Sequence, residues 1–516
     1  MSRINKFAKL AVLASASLAP GLALASNTTV CSIPAGRDGV TFTHENVTDM
    51  RASGPAAFTV APDGSFWVVD TMARRLLHYS SDCRQLGILD VRNVVGISDI
   101  AVTNSSIYLY DRYAQQPVVI HLSLSGAEYG RHVVDRDVTG VMMGERGEVV
   151  TERLFGAAFQ QLLDSSGKLA VTSLPGVTQD GVVYHAAGAD LSKADASTGT
   201  ITLGSRTLEV KVPNAVGGLR VLGVQRDGGF FAKMEEVALA NGFRVDQTIR
   251  SYDAAGNLRG QARVPIQDNY AYVENNVAQG PSGDVFALMT YRGRAEIQKL
   301  GFSTTLSPIL PVVTITQEDV APPVTGQCRS ATDMANTGSW FTGFARGYNS
   351  TNISGACSGR TRPRWLTTAG TAYTGVAYDW GGWDTPTIYD NALYNGRQAG
   401  DIDTVNPTGS NGVEACSVGA DCSGLVSRAW NLGTKQSTST LPSFSWQLAN
   451  RSSLARGDVM NCAGSHVTMF DYYISNGIQN WEATTSFSAD RSVYVGRDWT
   501  YFGNCNYLPR RFNSKC

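Results

Sequence analysis

The residue best placed for chemistry in this chain of 516 residues is a cysteine at the predicted start of a helix. Cys422 lies in the sequence Asp421-Cys422-Ser423-Gly424, and the apolar residues that follow, from Leu425 to Trp430, recur at helical spacing. The positive end of a helix dipole favours a thiolate over a thiol. Cys422 is therefore the predicted nucleophile.

A thiol nucleophile needs a base, and the chain offers one histidine in the same region. Of the six histidines, five lie at or before His185, and His466 is the only one after it. His466 opens the alternating run HVTMFDYYI, which predicts a strand. A helix that carries the nucleophile, packed on a sheet that carries the base, is the papain-like arrangement.

The imidazole in turn needs an acceptor that fixes its tautomer. The next predicted strand, from Gln479 to Thr484, offers Asn480 and Glu482 two residues apart and therefore on one face. Glu482 is the preferred third member because a carboxylate also stabilises the imidazolium that forms during catalysis. Asn480 remains the alternative.

Four motifs occur in the order typical of one enzyme family. They are Tyr378-Asp379-Trp380-Gly381-Gly382, Asp421-Cys422-Ser423-Gly424, Gly457-Asp458 and His466-Val467. This part of the chain resembles the NlpC-type cell-wall cysteine peptidases. The resemblance implies that Tyr378 lines the substrate site with Trp380 and Ser423, and that amides near Cys422 form the oxyanion hole.

The sequence departs from that family in two ways. First, 38 residues separate Gly382 from Asp421, where the family usually has a short loop. Second, the third member is a glutamate or an asparagine instead of the commoner histidine. We expect the insertion to reshape the substrate groove, so the family's substrate is not transferred to this chain without a test.

Each assignment has a purely structural alternative. Cys422 could form a disulfide with Cys416 or Cys462, which would leave another cysteine unpaired. His466 could be a hydrogen-bonded strand residue, and Glu482 a solvated one. Tyr378 and Trp380 could be ordinary core aromatics.

The beginning of the chain predicts export. Basic residues are followed by an apolar run from Leu10 to Leu24 and by small residues before Ser26, the pattern of a signal peptide of residues 1–25. Nine cysteines are then expected to pair in an oxidising compartment, with at least one left over. Cys31 and Cys83 are a possible pair. We expect a periplasmic or secreted protein without a membrane span.

The region before residue 302 has a different pattern. Strand-like runs meet at five tight turns, and the first three, at Gly64, Ser105 and Gly147, are 41 and 42 residues apart. This spacing matches propeller blades, and a sixth unit is predicted at residues 179–212. The region resembles NHL-type six-bladed propellers, with a β-sandwich as the alternative.

The predicted fold class is thus an all-β propeller of about six blades followed by an α+β papain-like cysteine hydrolase domain. The predicted boundaries are 26–302 for the propeller, 303–338 for a proline-containing linker, and 339–516 for the hydrolase domain. With 43 basic and 44 acidic residues, the chain has no charge excess suited to nucleic acid. The later half has one histidine and no close CxxC pair, so neither a metal nor another cofactor is expected.

The sequence therefore predicts an exported cysteine hydrolase that cleaves an amide bond, by resemblance in cell-wall peptidoglycan peptides. The propeller would serve as a docking module with an unknown ligand. Two alternatives stay open. One is a propeller-based binding protein with an inactive C-terminal domain, and the other is a related thiol hydrolase or acyltransferase with a different extracytoplasmic substrate.

Overall fold

The structure is a computed structural model that describes residues 26–45, 47–190, 192–193, 196–239, 242–312, 328–403 and 413–516. The predicted signal peptide, residues 1–25, lies outside the described residues. None of the helices in these ranges has the length and apolar character needed to cross a bilayer.

Six four-stranded antiparallel sheets form the first half of the described chain. Five follow in sequence order: β2–β5 (Ala57–Val60, Phe66–Asp70, Arg75–Tyr79, Gln85–Asp90), β6–β9 (Ile97–Val102, Ser106–Asp111, Val118–Ser123, Glu128–Val133), β10–β13 (Val138–Met143, Val149–Arg153, Ala158–Leu163, Leu169–Leu174), β14–β17 (Val177–Gln179, Val182–Ala187, Thr198–Leu203, Arg206–Lys211) and β18–β21 (Ala215–Val224, Phe230–Leu239, Phe243–Tyr252, Leu258–Val264). The sixth combines β22–β24 (Val277–Gln279, Val285–Tyr291, Arg294–Lys299) with β1 (Thr28–Pro34). The predicted propeller is confirmed, and the unit predicted at 179–212 is the fourth sheet.

Turn chemistry and burial explain why each blade forms. In the first blade Gly64 has a φ of 83°, a value that favours glycine, and Asp63 accepts a hydrogen bond from the Ser65 amide over 2.9 Å. In the same blade the inner strand β3 is buried throughout, whereas the outer strand β5 is mostly exposed. Each sheet therefore buries its inner part against its neighbours.

The propeller is closed by the two ends of its sequence. β1 pairs antiparallel with β24, from Thr28 opposite Lys299 to Pro34 opposite Arg294. This pairing gives the last blade its fourth strand and covers an edge that would otherwise expose unpaired backbone groups. The repeated hairpin pattern in the sequence did not predict this pairing, because β1 is a single strand that precedes the first hairpin.

The C-terminal domain is built on one antiparallel six-stranded sheet in the order β29-β34-β30-β31-β32-β33. Its strands are Ser445–Gln447 (β29), Val459–Cys462 (β30), His466–Ile474 (β31), Gly477–Thr484 (β32), Arg491–Asp498 (β33) and Leu508–Phe512 (β34). The helices are Ala331–Gly343 (α1), Ser350–Ser354 (α2), Pro386–Tyr394 (α3), Cys422–Ala429 (α4) and Trp499–Gly503 (α5), and short strands are Ala345–Gly347 (β25), Ala372–Thr374 (β26), Gln398–Ala399 (β27) and Ser417–Val418 (β28). α4 packs on β31 and β32, and α1 packs on α4 and β33.

The C-terminal domain begins earlier than the predicted linker allows. α1 starts at Ala331, within the segment 303–338 that was predicted to have no helix, and Ser330 caps it by accepting a hydrogen bond from the Asp333 amide. Its buried face includes Met334, Gly338 and Phe341. The helix was missed because small and polar residues dilute its apolar stripe, so packing rather than local pattern stabilises it.

Four disulfides join eight of the nine cysteines. They are Cys31–Cys83, Cys328–Cys516, Cys357–Cys416 and Cys462–Cys505. The possible pairing of Cys31 with Cys83 is confirmed, and Cys422 is the free thiol. Four disulfides are typical of proteins that fold in an oxidising compartment.

Buried charges cross the contact between the two domains. Lys233 of the propeller lies 2.9 Å from Glu235 and 3.8 Å from Asp498 at the end of β33. The Thr500 hydroxyl donates to Glu235 over 2.8 Å, and Trp499 stacks on Phe243 with ring centroids 4.9 Å apart. The propeller and the C-terminal domain therefore share one buried interface.

We predict that Lys233→Met destabilises the protein by about 3–5 kcal/mol, because it removes the cation that is ion-paired with two buried carboxylates. The Lys233 side chain is only 4% exposed. The control is Lys211→Met, which removes a pair with Glu209 whose lysine is 70% exposed and should cost less than about 1 kcal/mol. Urea unfolding measures both, and equal losses would contradict a buried role for Lys233.

Candidate active site

Cys422 is the first residue of α4, at the helix start that the sequence predicts. Asp421 caps the helix, because its side chain accepts a hydrogen bond from the Gly424 amide over 2.6 Å. Cys422 is 1% exposed. The alternative in which Cys422 bonds to Cys416 or Cys462 is absent from this structure, since those two pair with Cys357 and Cys505.

The glycines of the two sequence motifs meet behind the nucleophile. A Cβ on Gly424 would lie 2.1 Å from the carbonyl oxygen of Gly382, a distance that no side chain tolerates. The Asp421 amide donates to the same Gly382 oxygen over 3.0 Å, and the Gly381 amide donates to the Asp421 carboxylate over 2.9 Å. The backbone contact between the motifs therefore fixes the start of the helix.

His466 and Glu482 lie on the neighbouring strands β31 and β32. Nε2 of His466 is 2.8 Å from Oε2 of Glu482, and both side chains are buried. The amide of Asn480, the alternative third member, instead donates to the carbonyl of Val495 over 2.8 Å. The geometry thus brings Glu482, and not Asn480, to the imidazole.

Two further side chains hold the Glu482 carboxylate. Arg497 on β33 donates from Nε to Oε1 over 2.9 Å, and the Tyr501 hydroxyl donates to Oε2 over 3.3 Å. Burial alone would raise the pKa of Glu482, but the charge of Arg497 and the hydrogen bond from His466 outweigh it and lower the pKa to about 2. An ionised carboxylate only accepts, so Nε2 of His466 carries the proton and Nδ1 of the neutral ring is the basic nitrogen. Burial also lowers the pKa of His466, against the opposing effect of Glu482.

The thiol is held in its neutral form. Burial raises the pKa of Cys422 well above its usual value, and the charges of Asp421 and Asp49 raise it further, whereas the Val467 amide and Lys435 oppose them. Within the described part of the chain, the acceptor for the thiol is the carbonyl oxygen of Asp49, 3.9 Å from Sγ, and not His466. The site as folded is therefore closed and not ionised.

The three residues assigned to substrate binding lie close to Cys422 but make different contacts. Tyr378 is buried, and its hydroxyl donates to the carbonyl of Asp49 over 3.5 Å. The indole nitrogen of Trp380 donates to the carbonyl of Thr48 over 3.0 Å. The hydroxyl of Ser423 instead donates to Asp421 over 2.9 Å, which directs that side chain into the helix cap.

Several residues around the site carry no recognisable sequence signal: Asp49, Lys435, Thr438, Arg497 and Tyr501. Arg497 and Tyr501 follow the predicted catalytic strand, but no short motif distinguishes them from other strand or helix residues. Asp49 is 373 residues from Cys422. A contact over this distance has no local signal, so only the folded chain reveals it.

The insertion between the two motifs is largely part of the scaffold. Tyr389 on α3 is buried with its hydroxyl 3.0 Å from that of Tyr348, and Asp401 accepts hydrogen bonds from the amides of Thr361 and Asp403. Residues 404–412 of the insertion lie outside the described ranges. Among the described residues, the one group with metal-ligand spacing is Cys357, Glu414 and Cys416, whose two sulfurs are bonded to each other.

The propeller has its own cavity of about 480 Å³ along the inner strands of its blades. Glu152 and Arg220 line it and pair over 2.9 Å, and Asp99 lies beside them. Burial raises the pKa of Asp99 to about 8, although the amides of Val141 and Ile100 oppose the shift. The cavity is separate from the surroundings of Cys422.

No family model matches the chain, and no curated protein matches it. Solved structures that resemble it are β-propeller proteins. Three of them are a streptogramin B lyase (13% identity, 51% of this chain and 97% of that one, TM-score 0.30), a glutaminyl cyclase from Myxococcus xanthus (11%, 54% and 98%, 0.30) and a PQQ-bound aldose sugar dehydrogenase from Streptomyces coelicolor (10%, 52% and 100%, 0.32). Similarity at this level carries no argument about activity, and the propeller assignment rests on the sheet topology.

We predict that acid weakens the protein partly through Glu482. Its pKa falls from 4.5 to about 2 on folding, so the stabilisation is complete above pH 4.5 and is lost as the pH falls toward 2. Between pH 5 and pH 2 the wild type should therefore lose about 3 kcal/mol more unfolding free energy than Glu482→Gln does. Denaturant unfolding at several pH values measures the free energy of unfolding of both proteins. Glu209→Gln, a change at an exposed residue, is the control and should show the same pH dependence as the wild type. The same pH dependence for Glu482→Gln and the wild type would refute the prediction.

Proposed function

We propose that the C-terminal domain is a cysteine hydrolase of papain-like, NlpC-type architecture that cleaves amide bonds. The observation that carries the proposal is the 2.8 Å hydrogen bond between His466 and Glu482. The residue after His466 on β31 is Val467, whose amide lowers the pKa of the free thiol of Cys422. A buried imidazole with a fixed tautomer and a free thiol at a helix start are the two groups that nucleophilic catalysis by cysteine requires. The four ordered motifs support the same reading.

The chemistry follows from the tautomer. Nδ1 of His466 accepts the thiol proton, and the Cys422 sulfur attacks the amide carbonyl carbon to give a tetrahedral oxyanion. When the C–N bond breaks, the imidazolium returns the proton to the leaving amine and a thioester remains. Water then attacks the thioester with His466 as base, which releases a carboxylic acid and restores the thiol. Glu482, held by Arg497, stabilises the imidazolium in both steps.

The substrate class proposed here is a peptide amide of the bacterial cell wall. The motif resemblance and the predicted export support it, and the disulfides agree with an extracytoplasmic location. The propeller would bring the hydrolase to its substrate through a ligand of its own, for which its 480 Å³ cavity is a suitable place.

We predict that Cys422→Ala loses amidase activity on purified peptidoglycan by about a thousandfold or more, because no other group replaces the nucleophile. Mass analysis of muropeptides of known structure, before and after incubation, identifies the bond cleaved. Ser439→Ala, an exposed change in the same region, is the control and should retain full activity. Unchanged cleavage by Cys422→Ala would exclude the proposal, and turnover of esters but not amides would favour a related thiol enzyme.

A second candidate is a binding protein whose C-terminal domain is inactive. The observation that favours it is the closed, neutral thiol, since a working nucleophile must ionise. Incubation with muropeptides separates the two functions. Muropeptides that bind the protein and are recovered with unchanged mass would support binding without hydrolysis. The incubation must be made under conditions in which Cys422 is accessible to solvent.

A further inference from the structure

A short segment of the propeller domain crosses to the candidate active site. Residues 47–51, here called the cover segment, lie between β1 and β2, and two of their carbonyl oxygens accept hydrogen bonds from the C-terminal domain. Trp380 donates to the carbonyl of Thr48 over 3.0 Å, and Tyr378 to that of Asp49 over 3.5 Å. The Asp49 amide donates to the carbonyl of Gly464 over 3.0 Å. The backbone of the cover segment is thus held on both sides.

The side chains of the cover segment add specific contacts. The Asp49 carboxylate accepts hydrogen bonds from the hydroxyl and the amide of Thr438, the latter over 3.3 Å. Arg51 donates to the Asn504 side chain over 2.7 Å and lies 4.3 Å from the ring centre of Tyr501. Met50 is buried in the same apolar cluster as Cys422. These contacts fill the space above the nucleophile.

The consequence is that the catalytic pair is closed off from solvent. Cys422 is 1% and His466 4% exposed, and the carbonyl of Asp49 takes the hydrogen bond of the thiol. Arg51 is close enough to lower the pKa of His466, although less than burial does. Tyr378 and Trp380, which the motifs assign to the substrate, bind the cover segment instead. A peptide could not reach the sulfur while the segment is in place.

The segment is also held at a cost, which makes its release feasible. Asp49 has a φ of 60°, in the left-handed region, which aspartate adopts more readily than most residues with a side chain. Burial raises the pKa of Asp49, and the nearby charge of Asp421 raises it further, while Thr438 and Lys435 oppose the shift. Two carboxylates near one thiol repel each other. A few hydrogen bonds therefore hold a segment that carries a buried and unfavourably placed charge.

We propose that the cover segment is an intramolecular inhibitor that occupies the substrate groove, and that it must be displaced before any substrate reaches Cys422. The inference rests on the proposed function, because a groove is inhibited only if it is otherwise active. The displacement itself is a separate physical event and is measurable without catalysis.

The test is the rate at which iodoacetamide alkylates Cys422 in the full-length, disulfide-bonded protein, followed by intact mass. Asp49→Gly removes the bonds to Thr438 and keeps a residue suited to positive φ. Asp49→Asn is the matched control, because it retains the acceptor oxygen and also tolerates positive φ. Both variants remove the charge that raises the pKa of Cys422, so their difference reports the cover and not electrostatics.

We expect Asp49→Gly to react about tenfold faster than Asp49→Asn, the effect of losing hydrogen bonds to a buried group. Equal rates would overturn the proposal. The wild type provides a second measurement that does not depend on a variant. Alkylation in low urea should proceed through a local opening, with a urea dependence much shallower than that of global unfolding. A slope equal to the global one would also overturn it.

The outcome separates the inference from the function on which it rests. A faster Asp49→Gly that also hydrolyses muropeptides faster supports both. A faster Asp49→Gly that leaves every muropeptide intact supports the cover and removes the hydrolase. If the wild type hydrolyses muropeptides as fast as Asp49→Gly while its Cys422 stays unreactive toward iodoacetamide, the inhibitory role of the cover segment is refuted. Catalysis would then proceed without displacement of the segment.

Discussion

The buried carboxylate of Glu482 is the interaction on which the candidate site depends. Its Oε1 accepts from Arg497 and its Oε2 from Tyr501 and His466, so a charge that would be costly alone is fully paired. That pairing sets the proton on Nε2 of the imidazole. It also links the site to the rest of the molecule, because the residue after Arg497 is Asp498, which meets Lys233 of the propeller.

The propeller therefore contributes side chains and backbone to the environment of the C-terminal domain. It supplies the cation beside Asp498, the aromatic ring under Trp499 and the segment that lies on Cys422. Closure of the ring by β1 and β24 fixes where that segment leaves the sheet. Three separate stretches of the N-terminal half thus contact the C-terminal domain, and one of them reaches Cys422.

Local sequence patterns predicted the features that depend on local physics. Tight turns located five blades, four of them through a glycine with positive φ (Gly64, Gly147, Gly228 and Gly283). The small, polar start of α4 located Cys422. Local patterns did not predict the elements and contacts that depend on tertiary packing. α1 has a weak apolar stripe, β1 joins a strand more than 260 residues away, and nothing near Asp49 indicates that it contacts Cys422. The preference for Glu482 over Asn480 came from chemistry, and the structure adds Arg497, which no motif marked.

The Cys31–Cys83 disulfide has a consequence for the integrity of the chain. Its two cysteines are 52 positions apart in sequence, with residues 47–51 between them, and it joins the strand that closes the ring to the first blade. A single break in the backbone between these cysteines would leave both fragments covalently attached, and β1 would keep its place beside β24. Such a protein would migrate as one band on a non-reducing gel and as two after reduction, with its tertiary structure retained in the oxidised form.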